Sequence, residues 1–194
     1  MYQPLLSYIE KHSTTPLSVS DIELIQNKFT PKKLRKGQYL LQEGEICRSA
    51  AFIAKGATRQ YSVDDKGVEH IIQLTIENWW AVDRESFLTL APSQYYIDAW
   101  EDTEALLLKK TDYYEHLINV PAMVEMWRAI DERNAYANQK RLHSVLNDTA
   151  EQRYINLANT HPEFIQRFPQ YLIASYLGVA KETLSRLRSY AVQK

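Results

Sequence analysis

The chain has few of the residues that cross-link small secreted domains or build metal centres. Of its 194 residues only one is cysteine, Cys47, which excludes an intrachain disulfide and a four-cysteine zinc or iron–sulfur site. Five histidines lie in unlike segments without ligand spacing, so we expect neither a metal nor a cofactor. No apolar run approaches a membrane span, and the N-terminus lacks a signal-peptide pattern. These absences favour a cytoplasmic protein without a membrane partner.

The chain also lacks an excess of either charge, because 23 Lys and Arg residues face 24 Asp and Glu residues. Its hydrophobic content of 45% and charged content of 24% are those of an ordinary globular protein. The segment from Gln170 onwards is different, since four cations oppose the single carboxylate of Glu182. A basic footprint confined to one end is typical of a nucleic-acid-binding module. No nucleophile–base pair, phosphate loop or paired-carboxylate site is visible, so we expect no enzyme.

Glycine is scarce as well, and four of the five glycines lie between residues 37 and 67. Around them run short apolar or alternating segments, at residues 39–41, 50–53, 58–63 and 70–74, with a last one at 105–108. Short strands separated by turns predict an antiparallel sandwich, roll or barrel. Asp64 to Gly67 has the composition of a hairpin turn between the third and fourth of these strands.

Residues 170–189 have the spacing of two short helices joined by a tight turn. Ile173, Ala174 and Leu177 form one apolar face, Gly178 interrupts it, and Leu184 begins a second face. This pattern predicts a helix-turn-helix, whose second helix enters a DNA groove. An ordinary helical hairpin that closes a domain is the alternative.

A long helix is predicted from Pro121 to about residue 146, because proline suits the first helical position and no glycine interrupts the segment. Asp148 with Glu151 has the spacing of a capping box that starts the next helix. A similar box at Ser20 to Glu23 is predicted near the N-terminus. These signals divide the chain into residues 1–120, a linker helix at 121–147, and residues 148–194.

Three segments, residues 36–44, 52–61 and 65–67, look like the β-roll of a cyclic-nucleotide-binding domain and precede the predicted helix-turn-helix. In this order they resemble the cyclic-AMP receptor protein and fumarate–nitrate reductase regulator (Crp/Fnr) superfamily of bacterial transcription regulators. The resemblance implies an α+β fold with an N-terminal antiparallel β-roll, a long dimerisation helix and a C-terminal helix-turn-helix. The family's β-hairpin wing is expected to be truncated or absent, because the sequence reaches Lys194 shortly after the second helix.

The resemblance further implies a homodimer that binds double-stranded DNA, and it makes RNA polymerase a candidate partner. It assigns DNA contacts to the second helix. Lys181, Glu182 and Arg186 would read bases, whereas Thr183, Ser185 and Arg188 would lie nearer the DNA backbone. The alternative function is a ligand-sensing β-roll that acts through protein contacts, with a DNA-binding domain that no longer functions.

The predicted sensor departs from the pattern of the cyclic-AMP binders. Those proteins hold the phosphate with a Gly-Glu pair and an Arg-Ser pair, whereas residues 78–87 here contain no glycine and the arginine position falls near Tyr95. Arg84 is the one nearby cation, between Asp83 and Glu85. We therefore expect no response to cyclic AMP and either an unknown small effector or none. The candidate pocket residues are Trp79, Trp80, Arg84, Tyr95 and Trp127, although burial of these aromatic residues as simple core is the alternative.

Overall fold

The computed structural model describes the backbone of residues 1–192 and the side chains of residues 1–186. Two helices open the chain, α1 (Gln3–Lys11) and α2 (Val19–Lys28). The strands and one helix between them follow, namely β1 (Phe29–Leu34), β2 (Tyr39–Leu41), β3 (Ser49–Lys55), β4 (Thr58–Val63), β5 (Glu69–Thr75), β6 (Trp80–Ala81), α3 (Arg84–Thr89), β7 (Tyr96–Ala99) and β8 (Thr103–Lys109). The remaining elements are helical: α4 (Lys110–Glu115), a 3-10 turn (Leu117–Asn119), α5 (Pro121–Asn147), α6 (Ala150–Thr160), α7 (Pro162–Arg167), α8 (Gln170–Leu177) and α9 (Lys181–Val192).

The strands form two antiparallel four-stranded sheets, with the orders β1-β8-β3-β6 and β2-β7-β4-β5. The predicted antiparallel roll is confirmed, as are the five strands that the alternating segments indicated. The β4–β5 hairpin also forms as predicted, with the backbone N–H of Gly67 donating to the carbonyl of Asp64. Strands β1, β6 and β7 were not predicted from the sequence.

Strand β3 of the first sheet is buried on both faces. Successive side chains of a strand point to opposite sides, so each face has its own partners. Ala51 and Ile53 of β3 face the other sheet across the roll interior. Ala50 and Phe52 of the same strand face outward and pack against α1 and α5, where Phe52 is fully buried. Removing a buried phenylalanine side chain costs about 3–5 kcal/mol, so this outer layer stabilises the roll strongly.

The outer face of the second sheet is covered by the C-terminal helices. Tyr61, Ile71 and Leu74 of the roll form one buried cluster with residues of α6 to α9, among them Phe164 and Ile173. The roll and the C-terminal helices therefore share a hydrophobic core in this arrangement.

Helix α5 is 27 residues long and begins with Pro121, as the sequence predicted. Its N-terminal half buries Met123, Met126 and Ile130 against the roll. Its C-terminal half leaves Leu142 and Leu146 exposed. In the described part of the chain no helix is long and apolar enough to cross a lipid bilayer.

Two of the predicted helix starts are displaced by one or two residues. The predicted capping box at Asp148 and Glu151 is wrong, because Thr149 is the N-cap of α6 and exchanges hydrogen bonds with Gln152. Asp148 instead ends α5, where its carboxylate accepts a hydrogen bond from the Ser144 hydroxyl.

The box predicted at Ser20 to Glu23 is wrong in the same way. Ser18 is the N-cap of α2, and its partner at the third helical position is Asp21. In both segments several Ser, Thr or Asp residues compete for the cap, and tertiary packing selects one of them.

Candidate functional site

The turn between α8 and α9 depends on the left-handed backbone of Gly178, whose φ is +65°. A residue with a Cβ rarely adopts this conformation, so glycine is the suitable residue here. The N–H of Gly178 donates to the last turn of α8, and the N–H of Val179 donates to the Ala174 carbonyl at 2.9 Å. These bonds end α8 and redirect the chain into α9 within three residues, as the sequence predicted.

Helix α9 is held against α8 and α6 by Leu184, which is 1% exposed and belongs to the shared buried cluster. Ala174, beneath the crossing, is 2% exposed. Because one face of α9 is fixed in this way, its other face points away from the core.

That outer face of α9 carries the candidate DNA-contacting residues. Lys181, Glu182, Ser185 and Arg186 are exposed and Thr183 is half-buried. The side chain of Arg188 lies outside the described residues. Among the described side chains, neither Lys181 nor Arg186 takes part in an ion pair, so both cations are available to an anionic partner.

In the roll, the short helix α3 has a carboxylate of the chain itself at its N-terminus. Asp83 is the N-cap of α3, is 4% exposed, and accepts hydrogen bonds from the Ser86 N–H at 3.3 Å and the Ser93 hydroxyl at 2.7 Å. The Ser86 hydroxyl in turn accepts from the Cys47 N–H at 2.9 Å. A helix N-terminus attracts anions. At α3 the carboxylate of Asp83 already occupies this position.

Arg84, the cation beside this helix, is directed to α5 and forms an ion pair with Asp131. Hydrogen bonding to Asp131 raises the pKa of the Arg84 guanidinium above its ordinary value. Arg84 and Asp131 also border a small cavity of about 130 Å³, together with Trp127, Tyr113 and Phe87. This arginine therefore faces α5 and not the N-terminus of α3.

The candidate pocket residues do not share one cavity. Trp80 is 6% exposed and its ring centroid lies 4.5 Å from that of Trp127, so these two rings and Arg84 form one group. Trp79 lies on the opposite side of the strand, where its ring contacts His161 and Phe164 at 5.3 and 5.6 Å. Tyr95 is half-buried beside Ser93, whose hydroxyl accepts from its N–H.

Sequence reasoning missed the buried polar network of Asp83, Ser86 and Ser93. From the sequence, Asp83 was expected only to flank Arg84. In the structure its side chain caps α3. The available signal was the spacing of an aspartate three residues before a serine at the start of a short helix.

Polar contacts also join the roll to the C-terminal helices. Arg167 of α7 forms ion pairs with both Glu77 and Glu101 of the roll. The Ser175 hydroxyl accepts from the Ile71 N–H at 2.9 Å, and Arg141 of α5 donates to the carbonyls of Ile72 and Tyr176. These contacts surround the shared core and orient α8 on β5.

Comparisons with known proteins agree with this architecture. The cyclic nucleotide-binding domain model matches residues 31–118. FixK2 from Bradyrhizobium japonicum is similar in structure, with a TM-score of 0.68, 20% identity and coverage of 85% of each chain. The c-di-GMP-responsive global regulator CLP of Xanthomonas campestris has a TM-score of 0.69 at 10% identity, covering 91% of this chain and 92% of its own.

A protein from Eubacterium rectale, named as a transcriptional regulator of the Crp/Fnr family, has a TM-score of 0.67 at 15% identity, covering 91% of this chain and 85% of its own. No curated protein sequence matches the chain. These structural neighbours are regulators and not enzymes. Residues 31–118 are thus similar to the cyclic nucleotide-binding domain family, and the chain as a whole has the same fold as these regulators.

Proposed function

We propose that this protein is a sequence-specific DNA-binding transcription regulator whose roll does not respond to cyclic AMP. The observation that carries the proposal is the exposed face of α9, with Lys181 and Arg186 free of ion pairs among the described side chains and the helix fixed from behind by Leu184. Such a helix fits the major groove, where arginine and lysine read guanine and bind phosphates.

DNA binding is tested with Arg186→Ala on a duplex selected from random sequences by the wild-type protein. Loss of one base-reading arginine should weaken binding by about 10–100-fold and relax the preference at one base position, since such a contact contributes about 1–3 kcal/mol. Fluorescence anisotropy over a range of salt concentrations measures both affinity and the number of phosphate contacts.

Lys55→Ala is the matched control, because Lys55 is an exposed cation at the end of β3. Its affinity should equal that of the wild type. Equal weakening of Arg186→Ala on every sequence would give Arg186 a phosphate role. If wild-type protein bound no duplex, the alternative of a sensor that acts through protein contacts would replace this proposal.

Insensitivity to cyclic AMP follows from the groups at the N-terminus of α3. A cyclic phosphate would lie beside the buried Asp83 carboxylate, and Arg84 is held by Asp131 on α5. Burying an anion without a partner costs several kcal/mol, and a nearby like charge adds to that cost. Isothermal titration should show no micromolar binding of cyclic AMP or cyclic GMP. Micromolar binding of either would contradict the proposal.

A further inference from the structure

A second cavity opens at the edge of the roll, away from α3. Strands β1 and β2 are each the outermost strand of their sheet, and the two sheets separate between them. The resulting cleft has a volume of about 510 Å³, within the range of small-molecule sites. None of its lining residues belongs to α3 or α5, so it is separate from the small cavity around Trp127.

The floor of the cleft is apolar because two alanines lie side by side on neighbouring strands. Ala51 of β3 and Ala81 of β6 are direct partners across the sheet. Leu41, Ile97 and Leu107 complete the floor. Larger side chains at the alanine positions would fill this space, so the sequence leaves a hydrophobic volume that an apolar ligand can occupy.

The rim of the cleft is positively charged. Lys32 and Arg48 line it, and among the described residues neither forms an ion pair. Glu45 is the only carboxylate among the described residues that line the cleft, and one of its oxygens accepts from the Gln42 N–H at 2.9 Å. Burial raises the pKa of the neighbouring Cys47 thiol to about 11, so the thiol stays neutral. Two cations thus face one carboxylate that is already hydrogen-bonded.

We propose that this cleft binds an aliphatic monocarboxylate of about eight to twelve carbons. The chain lies on Ala51, Ala81 and Ile97, and the carboxylate lies between Lys32 and Arg48. A purine nucleotide fits less well, because the floor offers its ring nitrogens and ribose hydroxyls few hydrogen-bonding partners. This assignment goes beyond DNA binding and does not depend on it.

Isothermal titration of the purified full chain with decanoate, below its micelle concentration, tests the proposal. Decanol provides a neutral ligand with the same chain. Decanoate should bind with micromolar affinity, and decanol at least 10-fold more weakly. The double variant Lys32→Ala/Arg48→Ala should lose at least 10-fold in decanoate affinity, whereas Lys55→Ala, on the same sheet outside the cleft, should match the wild type.

Ala81→Leu tests the apolar floor, and circular dichroism checks that the variant folds. A folded Ala81→Leu protein should lose decanoate binding. The proposal is overturned if wild-type protein does not bind decanoate, if decanoate and decanol bind equally, or if the charge-removed variant binds decanoate like the wild type. Because Arg48 is exposed and Lys32 is only half-buried, the charge-removed variant should fold and answers the question even if Ala81→Leu does not fold.

Discussion

At the scale of single residues, Glu125 shows how one side chain fixes a connection between elements. Its carboxylate, on α5, accepts hydrogen bonds from the Thr15 hydroxyl at 2.6 Å and from the N–H and hydroxyl of Thr14 at 2.6 and 2.9 Å. These donors belong to the segment between α1 and α2. They favour the ionised form, so the Thr15 hydroxyl and then the Thr14 groups lower the pKa of Glu125 to about 2.

The low pKa of Glu125 predicts a pH dependence of stability. Because the folded-state pKa lies below the ordinary value of 4.5, the stabilisation is fully present above pH 4.5 and is lost as the pH falls towards 2. Glu125→Gln removes this proton-linked contribution. Urea unfolding should therefore show a shallower loss of stability in the variant between these two pH values. Glu10→Gln, at an exposed position, is the control, and equal slopes in Glu125→Gln and wild type would contradict the prediction.

The pair Trp79 and Trp80 shows which part of the site the sequence could predict. The aromatic character of the region was visible in the sequence, and so was its lack of the glycine and arginine that the cyclic-AMP binders use. The two adjacent rings nevertheless belong to different clusters, because neighbouring residues of an extended chain point to opposite faces. Trp80 packs with Phe52 and Trp127, whereas Trp79 packs with Phe164 of α7. Only the position of α7 on the roll reveals that second partner.

At the scale of elements, the predicted strands were those that form short apolar or alternating runs. Strand β7 (Tyr96–Ala99) was missed because it contains Asp98, a residue that disfavours strands. Asp98 is tolerated there because the Arg59 guanidinium on β4 donates to it across the sheet at 3.0 Å. Strand β6 has only two residues. Arg59 and Asp98 lie far apart in sequence, so local sequence patterns could not indicate that they pair.

Helix α5 has an apolar face that no described residue of the chain covers. Leu142, Val145 and Leu146 have the i, i+3, i+4 spacing of one helical face, and Leu146 is 73% exposed. Exposed apolar patches of this kind mark interaction surfaces. We infer that two copies of α5 pack against each other through this face in a homodimer.

We therefore expect Leu142→Glu/Leu146→Glu to dissociate the dimer. Burying one leucine contributes about 1.5–3 kcal/mol, and introducing two carboxylates on each chain adds repulsion across a twofold axis. Sedimentation equilibrium at micromolar concentration should give a dimer for the wild type and a monomer for the variant. Val19→Glu changes an equally exposed apolar side chain on α2, and it should remain dimeric. A monomeric wild-type protein would refute the dimer.

At the scale of the whole molecule, the roll and the C-terminal helices share one buried hydrophobic cluster. The sequence predicted a domain boundary near residue 148, which stays a prediction; in the structure α5 ends at Asn147 and α6 begins at Ala150. The sequence did not predict that Tyr61, Ile71 and Leu74 would share a buried cluster with Phe164, Ile173 and Leu184. Because the core is shared, unfolding either part alone would expose apolar surface of the other part and would therefore cost free energy. Heating should therefore produce a single transition in this arrangement.

The ion cluster around Arg167 provides the test of this coupling. Burial alone would raise the pKa of Glu77, but the hydrogen bonds and charge of Arg167, together with hydrogen bonds from the backbone N–H groups of Glu77 and Gly56, outweigh it and hold that pKa below its usual value. The two side chains are 24% and 34% exposed, so solvent screens them only in part. A double-mutant cycle with Arg167→Gln and Glu77→Gln should give a coupling free energy of about 1 kcal/mol.

Urea unfolding of the four proteins in that cycle measures the coupling, and added salt should reduce it. The pair Lys33 and Glu104 serves as the internal control, because Lys33 is 76% exposed and both partners lie within one sheet. Its cycle should give a coupling below about 0.5 kcal/mol. If the Arg167 cycle gave no more than this control, the ion cluster would not hold the helices on the roll, and the buried apolar contacts alone would account for the docking.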